Sequence, residues 1–267
     1  MDDSVRAQGI RPAAVAGAFY PEEASRLSRM LDSLLETASP PAAPQPKAII
    51  APHAGYRYSG PIAASAFVSL RGRTEVRRIV LLGPSHHHSF AGIALSRAEA
   101  FATPLGPVPL DQPVVQQVSF LPAARFFDEA HALEHSLEVE LPFLQQTLGH
   151  FTLVPLVVGD VADEDLRQVI DLLWGGPETV FVISSDLSHY YDYEAAQRLD
   201  GCTARAIEQL CPGEIGVEHA CGRLPIRGLL CAARERDLRA TTLDLRNSGD
   251  TAGRRDRVVG YGAFALA

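Results

Sequence analysis

The chain has 267 residues, 46% of them apolar and 21% charged, the balance of an ordinary globular domain. Lys and Arg number 24 against 32 Asp and Glu, a formal charge of −8; with no basic block, nucleic acid is not an expected partner. No stretch approaches the ~18 apolar residues of a membrane helix. Residues 1–4, MDDS, lack the basic-then-apolar pattern of a secretory signal, so a cytoplasmic location away from membranes is expected.

In chain order, the pattern predicts a first helix over 23–37. A proline-rich connector follows over 39–46, too short to divide domains. The ~40 residues before it are too few for an independent core, so one domain over 1–267 is expected. Strands are predicted over 47–52, 78–83, 152–159, 179–185, 241–245 and 257–266. Continuous apolar runs bounded by Gly or Pro suit strands buried on both faces. Helical patterns cover 59–70, 163–174, 193–210 and 225–238. The second of these sets Leu166, Val169, Ile170 and Leu173 on one stripe. Residues 134–148 read as a further helix, with Ser136 as N-cap and Pro142 kinking or restarting it. Strands alternating with helices imply an α/β fold: a single three-layer domain, its central mainly parallel or mixed sheet flanked by helices.

Four cysteines, Cys202, Cys211, Cys221 and Cys231, form no C-x-x-C pair. They read as buried or half-buried thiols in a reducing compartment, not as disulfides or a metal cluster. The nine histidines carry more information. Predicted strands run into Ala51-Pro52-His53-Ala54-Gly55-Tyr56, Gly83-Pro84-Ser85-His86-His87-His88, Ser184-Ser185-Asp186-Leu187-Ser188-His189 and Arg246-Asn247-Ser248-Gly249-Asp250-Thr251. In open α/β sheets, ligands bind outside the carboxyl ends of the strands. His53, one of His86 to His88, Asp186, His189 and Asp250 are therefore expected to converge. Imidazoles with carboxylates suit iron, zinc, copper or nickel, and an unligated histidine beside them can shuttle protons. A lone histidine after a strand more often caps or hydrogen-bonds; four such loops in one chain favour a shared site.

These loops, with Arg11-Pro-Ala-Ala-Val-Ala-Gly17-Ala-Phe19-Tyr20-Pro21, Glu134-His-Ser-Leu-Glu138 and Cys221-Gly-Arg-Leu-Pro-Ile226, occur in the order found in one known family. The chain resembles the Memo family, whose prokaryotic members are also called AmmeMemoRadiSam system protein B. That family resembles the catalytic subunit of class III extradiol ring-cleavage dioxygenases, which use non-heme Fe(II). The resemblance implies a dioxygenase-like single α/β domain. It makes His53 and His86 metal ligands and His189 an acid/base, with Asp186 orienting it or approaching the metal. Glu138 joins the catalytic set, while His87, His135, Tyr56, Thr251 and Arg223 line the pocket. In the animal members the third ligand is a cysteine. Aligned here, that position falls on Thr251, and Asp250 is the expected substitute. Fe(II) is the implied cofactor, with copper or zinc as alternatives. The function so implied is a metal-dependent oxidoreductase acting on an unidentified small molecule. A non-catalytic peptide- or metal-binding scaffold and a zinc hydrolase stay open. AMMECR-type and radical-SAM proteins of the same system are implied partners.

Overall fold

A computed structural model describes residues 9–39 and 45–267. Residues 40–44 of the proline-rich connector lie outside the described residues. The chain opens with strand β1 (Ile10–Arg11) and helix α1 (Ala24–Thr37), where the Glu23 carboxylate accepts from the amides of Ser25 and Arg26 and so caps the helix. Next come β2 (Ala48–Ala51), α2 (Tyr56–Phe67) and β3 (Arg78–Pro84). Then follow β4 (Ile93–Leu95), β5 (Ala100–Thr103), β6 (Gly106–Pro109), α3 (Gln112–Val118), β7 (Ala124–Phe126) and α4 (Asp128–Ala132). Helix α5 (Leu141–Leu148), β8 (Thr152–Val158), α6 (Asp163–Leu173), β9 (Thr179–Ser184), β10 (His189–Tyr191) and α7 (Tyr193–Glu208) continue the chain. It closes with α8 (Arg223–Arg234), β11 (Ala240–Asn247) and β12 (Val258–Leu266).

The main sheet runs β10-β12-β2-β9-β3-β8-β4-β7, with β11 on β12. Its centre, β2-β9-β3-β8, is parallel, whereas β12 is antiparallel to β2 and β4 to β8. A small second sheet joins β1, β5 and β6. The central strands are buried on both faces, and their residues alternate between two cores. Ile49, Ile79, Leu81, Val180 and Val182 meet α1, α2 and α5. Ile50, Val80, Leu82, Phe181 and Ile183 meet α3, α6 and α8. The alternation follows from the two-residue period of a strand, and it makes the domain three layers deep. No helix among the described residues is long and apolar enough to cross a membrane.

Six predicted strands and five predicted helices match observed elements to within a few residues. The sixth helical reading, over 134–148, differs. Residues 134–137 are not helical, a 3-10 turn spans Glu138–Glu140, and α5 begins at Leu141 with Pro142 in its first turn. Proline lacks the N–H that a helix interior needs, but its fixed φ suits a helix start. Ser136 is no cap: its hydroxyl donates to the Pro84 carbonyl. Between β3 and α5 lie β4 to β7, α3 and α4, which periodicity does not mark, because segments of a few residues are too short to show a period.

Candidate metal centre

Strand β9 lies between β2 and β3, so the loops leaving those three strands emerge side by side. His53 follows β2, His86 follows β3, and the ring centroids are 5.2 Å apart. The Cys221 thiol comes from the segment before α8. Its backbone N–H donates to the Asp186 carbonyl just beyond β9, and Sγ lies 3.4 Å from His53 Nε2. The ligand atoms of His53, His86 and Cys221 all fall within 4.8 Å of one another. Cys221 can come so close because residue 222 is glycine. A Cβ there would lie 2.6 Å from Ser185 Cβ and 2.8 Å from the Ser184 carbonyl oxygen.

Each imidazole is held by its other nitrogen. His86 Nδ1 meets Glu134 Oε1 at 2.9 Å, while the His86 amide donates to Glu134 Oε2 at 2.5 Å. Burial opposes charge on Glu134, but the His86 contacts and the Ser136 amide outweigh it and hold the carboxyl well below its usual range. Ionised Glu134 therefore accepts from Nδ1 and leaves Nε2 of His86 as the free donor atom. Glycine at position 83 admits this arrangement: a Cβ there would sit 2.8 Å from Ser136 Oγ. His53 is 1% exposed, and its Nδ1 lies 2.7 Å from Ser184 Oγ. Burial, reinforced by His86 and His135, pushes its pKa far down, so it is neutral. Two imidazoles, each anchored on its far nitrogen, form the arrangement that orients metal-ligating histidines.

The thiol completes a donor set that fits a first-row ion: imidazole suits iron, copper and zinc, and sulfur favours the softer of these. Burial and the nearby Asp186 push the Cys221 thiol up to about 12. A cation beside it is what would turn it into a thiolate. This corrects the expectation that all four cysteines are plain structural thiols. Cys202 is exposed, and among the described residues Cys211 and Cys231 belong to no such group.

Asp250 is not brought into the group. Strand β11 runs in the direction of β2, so its end shares the same rim, but β12 lies between them. At about 4.8 Å per strand, that is roughly 10 Å sideways. The exposed Asp250 instead accepts from the Tyr193 hydroxyl at 2.5 Å and from the Asn247 amide at 3.0 Å. Thr251 donates its hydroxyl to the Ser248 carbonyl, which closes the same turn.

The remaining predicted residues divide. His189 is half-buried, and its Nδ1 donates to the Leu187 carbonyl at 2.8 Å, which frees Nε2. Burial lowers its pKa, and the neighbouring His86 lowers it further. Asp186 Oδ1 accepts the amides of His53 and Ala54, which fixes the turn after β2. Burial raises its pKa to about 7. His135 stacks on His86 at 4.5 Å between centroids, and Phe19 lies 4.9 Å from it. His87 and Arg223 line a cleft of about 750 Å³ that also holds His86, His88, Asp160 and Cys221.

Two assignments are corrected. Glu138 is fully buried and its carboxylate is saturated by Arg11 Nη1, the Ala14 and Val15 amides and the Tyr20 hydroxyl. It ties the N-terminal segment to the domain and has no lone pair to spare for catalysis. Tyr56 is a core residue, not a pocket wall; its hydroxyl donates to the Val139 carbonyl at 2.6 Å. Sequence reasoning missed Glu134 and Ser184 as the anchors of the two imidazoles, and it missed Cys221. The last had a visible signal, since Cys221 opens one of the motifs shared with the family.

Fold and site together define an α/β protein with imidazoles and a thiol gathered on the carboxyl rim of its sheet. The family model described as "Memo-like protein" matches residues 11–265, and the chain belongs to that family. It is 36% identical over 264 residues to a MEMO1 family protein of Aquifex aeolicus, covering 94% of this chain and 97% of that one. It is also 33% identical over 292 residues to Protein MEMO1 of Xenopus tropicalis, covering 96% and 97% respectively. Among solved structures, the uncharacterized protein JW3007 of Escherichia coli K12 has a TM-score of 0.55 at 12% identity, covering 81% of this chain and 98% of that one. That likeness concerns the fold alone.

Proposed function

We propose that this protein is a metal-dependent oxidoreductase whose iron or copper ion is held by His53 Nε2, His86 Nε2 and Cys221 Sγ. The observation that carries the reading is the grouping of one ligand atom each from His53, His86 and Cys221 within 4.8 Å, with Cys221 Sγ 3.4 Å from His53 Nε2 and each ring anchored at its Nδ1. When bound, such an ion supplies Lewis acidity and one-electron chemistry. The thiol in place of a carboxylate departs from the two-His-one-carboxylate set of extradiol dioxygenases, so a ring-cleaving reaction is not part of the proposal.

In this reading His189 moves a proton. Its Nδ1–H is committed to Leu187, and its lowered pKa keeps Nε2 unprotonated near neutral pH. Nε2 is free to take a proton from a substrate hydroxyl bound at the centre and return it to product. Arg223, which has no ion-pair partner among the described residues, and the adjacent His87 and His88 favour a substrate with an anionic group; Asp160 on the same cleft opposes this in part. Hydrolysis at zinc is the weaker reading. Glu134 and Glu138 are engaged by internal partners, so neither is free as a separate carboxylate base.

Metal analysis of protein purified without air tests the proposal. Close to one iron or copper per chain is expected, with uptake of O2 when hydroxylated organic acids are added. Zinc alone after exposure to all three metals supports the hydrolase. No metal at all, with a peptide captured in the cleft, supports the scaffold.

A further inference from the structure

Ser184 Oγ, at the end of β9, has three partners: His53 Nδ1 at 2.7 Å, the Ser136 carbonyl oxygen at 2.5 Å and Glu140 Oε1 at 2.9 Å. A serine hydroxyl owns one hydrogen and two lone pairs. The Ser136 carbonyl can only accept, and two oxygens 2.5 Å apart repel unless a hydrogen lies between them. Ser184 therefore spends its hydrogen on Ser136, and the other two partners must donate. His53 supplies its Nδ1–H. Glu140 supplies a proton only as a carboxylic acid.

We infer that Glu140 is a neutral, protonated carboxylic acid that acts through Ser184 as a positioning residue for His53, fixing the Nδ1–H tautomer that turns a bare Nε2 toward Cys221. The surroundings agree. Glu140 is 0% exposed. Among the described residues its Oε2 has no hydrogen-bond partner, which is costly for a carboxylate oxygen and far less so for the carbonyl of an acid. The buried cation Arg11 is spent on Glu138, and the Tyr56 hydroxyl is turned to Val139. Burial, with Asp186 adding to it, pushes the Glu140 pKa well up. The metal half of this inference rests on the function proposed above; the protonation half does not.

Two measurements on the full chain separate them. Infrared difference spectroscopy between wild type and Glu140→Gln at neutral pH should show the carbonyl stretch of one protonated carboxylic acid, lost in the variant; its absence overturns the inference. Cobalt(II) affinity, read by competition with a chromophoric chelator, gives the second readout. Glu140→Gln keeps wild-type affinity, because its amide N–H donates to Ser184 as the acid does. Ser184→Ala and Glu140→Leu lose about 10- to 100-fold, the usual cost of removing a partner behind a ligand. Wild-type affinity in folded Ser184→Ala overturns the positioning role, even should Glu140→Leu fail to fold. Wild-type protein that binds no cobalt yet shows the infrared band sinks the metal proposal while the neutral Glu140 stands.

Discussion

Cys221 Sγ lies 3.4 Å from His53 Nε2, although 168 residues separate the two along the chain. The contact is built from both sides: Asp186 Oδ1 holds the His53 amide, while the Asp186 carbonyl accepts the Cys221 amide. One residue beyond β9 thus ties together the loop after β2 and the segment before α8.

Metal content distinguishes the thiol from the carboxylate as third ligand. Cys221→Ala, His53→Ala and His86→Ala are each expected to abolish stoichiometric metal in protein purified without air. Asp250→Asn should leave it unchanged, since Asp250 is engaged with Tyr193 and Asn247. Loss of metal in Asp250→Asn with retention in Cys221→Ala would reverse the assignment.

Gly222 sets how closely the thiol approaches. An added Cβ, 2.6 Å from Ser185 Cβ, forces the Cys221 backbone outward. Gly222→Ala is expected to cut cobalt affinity at least about tenfold with every ligand intact. Thermal or chemical denaturation should show a stability cost of about 1–3 kcal/mol from overpacking. Unchanged affinity would mean that the thiol is not held by this approach.

Arg11 and Glu138 form a buried pair at 2.7 Å, with side chains 5% and 0% exposed. Removing one partner strands the other charge, so Glu138→Ala should lower unfolding free energy by about 3–5 kcal/mol. The paired replacement Arg11→Met with Glu138→Leu should cost less than either single change, as urea midpoints would show. Cobalt affinity in folded Glu138→Ala should stay near wild type. A tenfold loss there would return Glu138 to the site.

Acid stability should report His131. This ring is fully buried, and burial lowers its pKa to about 4, against about 6.5 in an unfolded chain. Between those values the unfolded chain binds a proton that the folded chain refuses, so stability rises with pH. The contribution is complete above pH 6.5 and is lost as pH falls toward 4. It amounts to about 1.4 kcal/mol per pH unit, or about 3 kcal/mol in all. Urea titrations at several pH values should show a shallower slope in His131→Phe; an identical slope would place the proton elsewhere.

Much of the architecture was legible because local signals agreed with the final packing. The central strands read as unbroken apolar runs and are buried on both faces. The Leu166, Val169, Ile170 and Leu173 stripe lies inward as its spacing requires. His53, His86 and His189 stood out because each lies in a loop that an apolar run leads into. The stretch between β3 and α5 did not, since its elements are a few residues long. Glu138 misled for a different reason: a carboxylate in a shared motif looks the same whether it faces substrate or a buried arginine.

The sequence by itself determined the α/β class, the strands that form the core and the rim on which histidines collect, because hydrophobic periodicity is a local property. Tertiary structure alone decided which candidate third donor stands beside His53. Asp250 and Cys221 both sit near that rim, and which one reaches His53 depends on strand order across the sheet. An intervening β12 holds Asp250 aside, and a missing Cβ at Gly222 lets the thiol in.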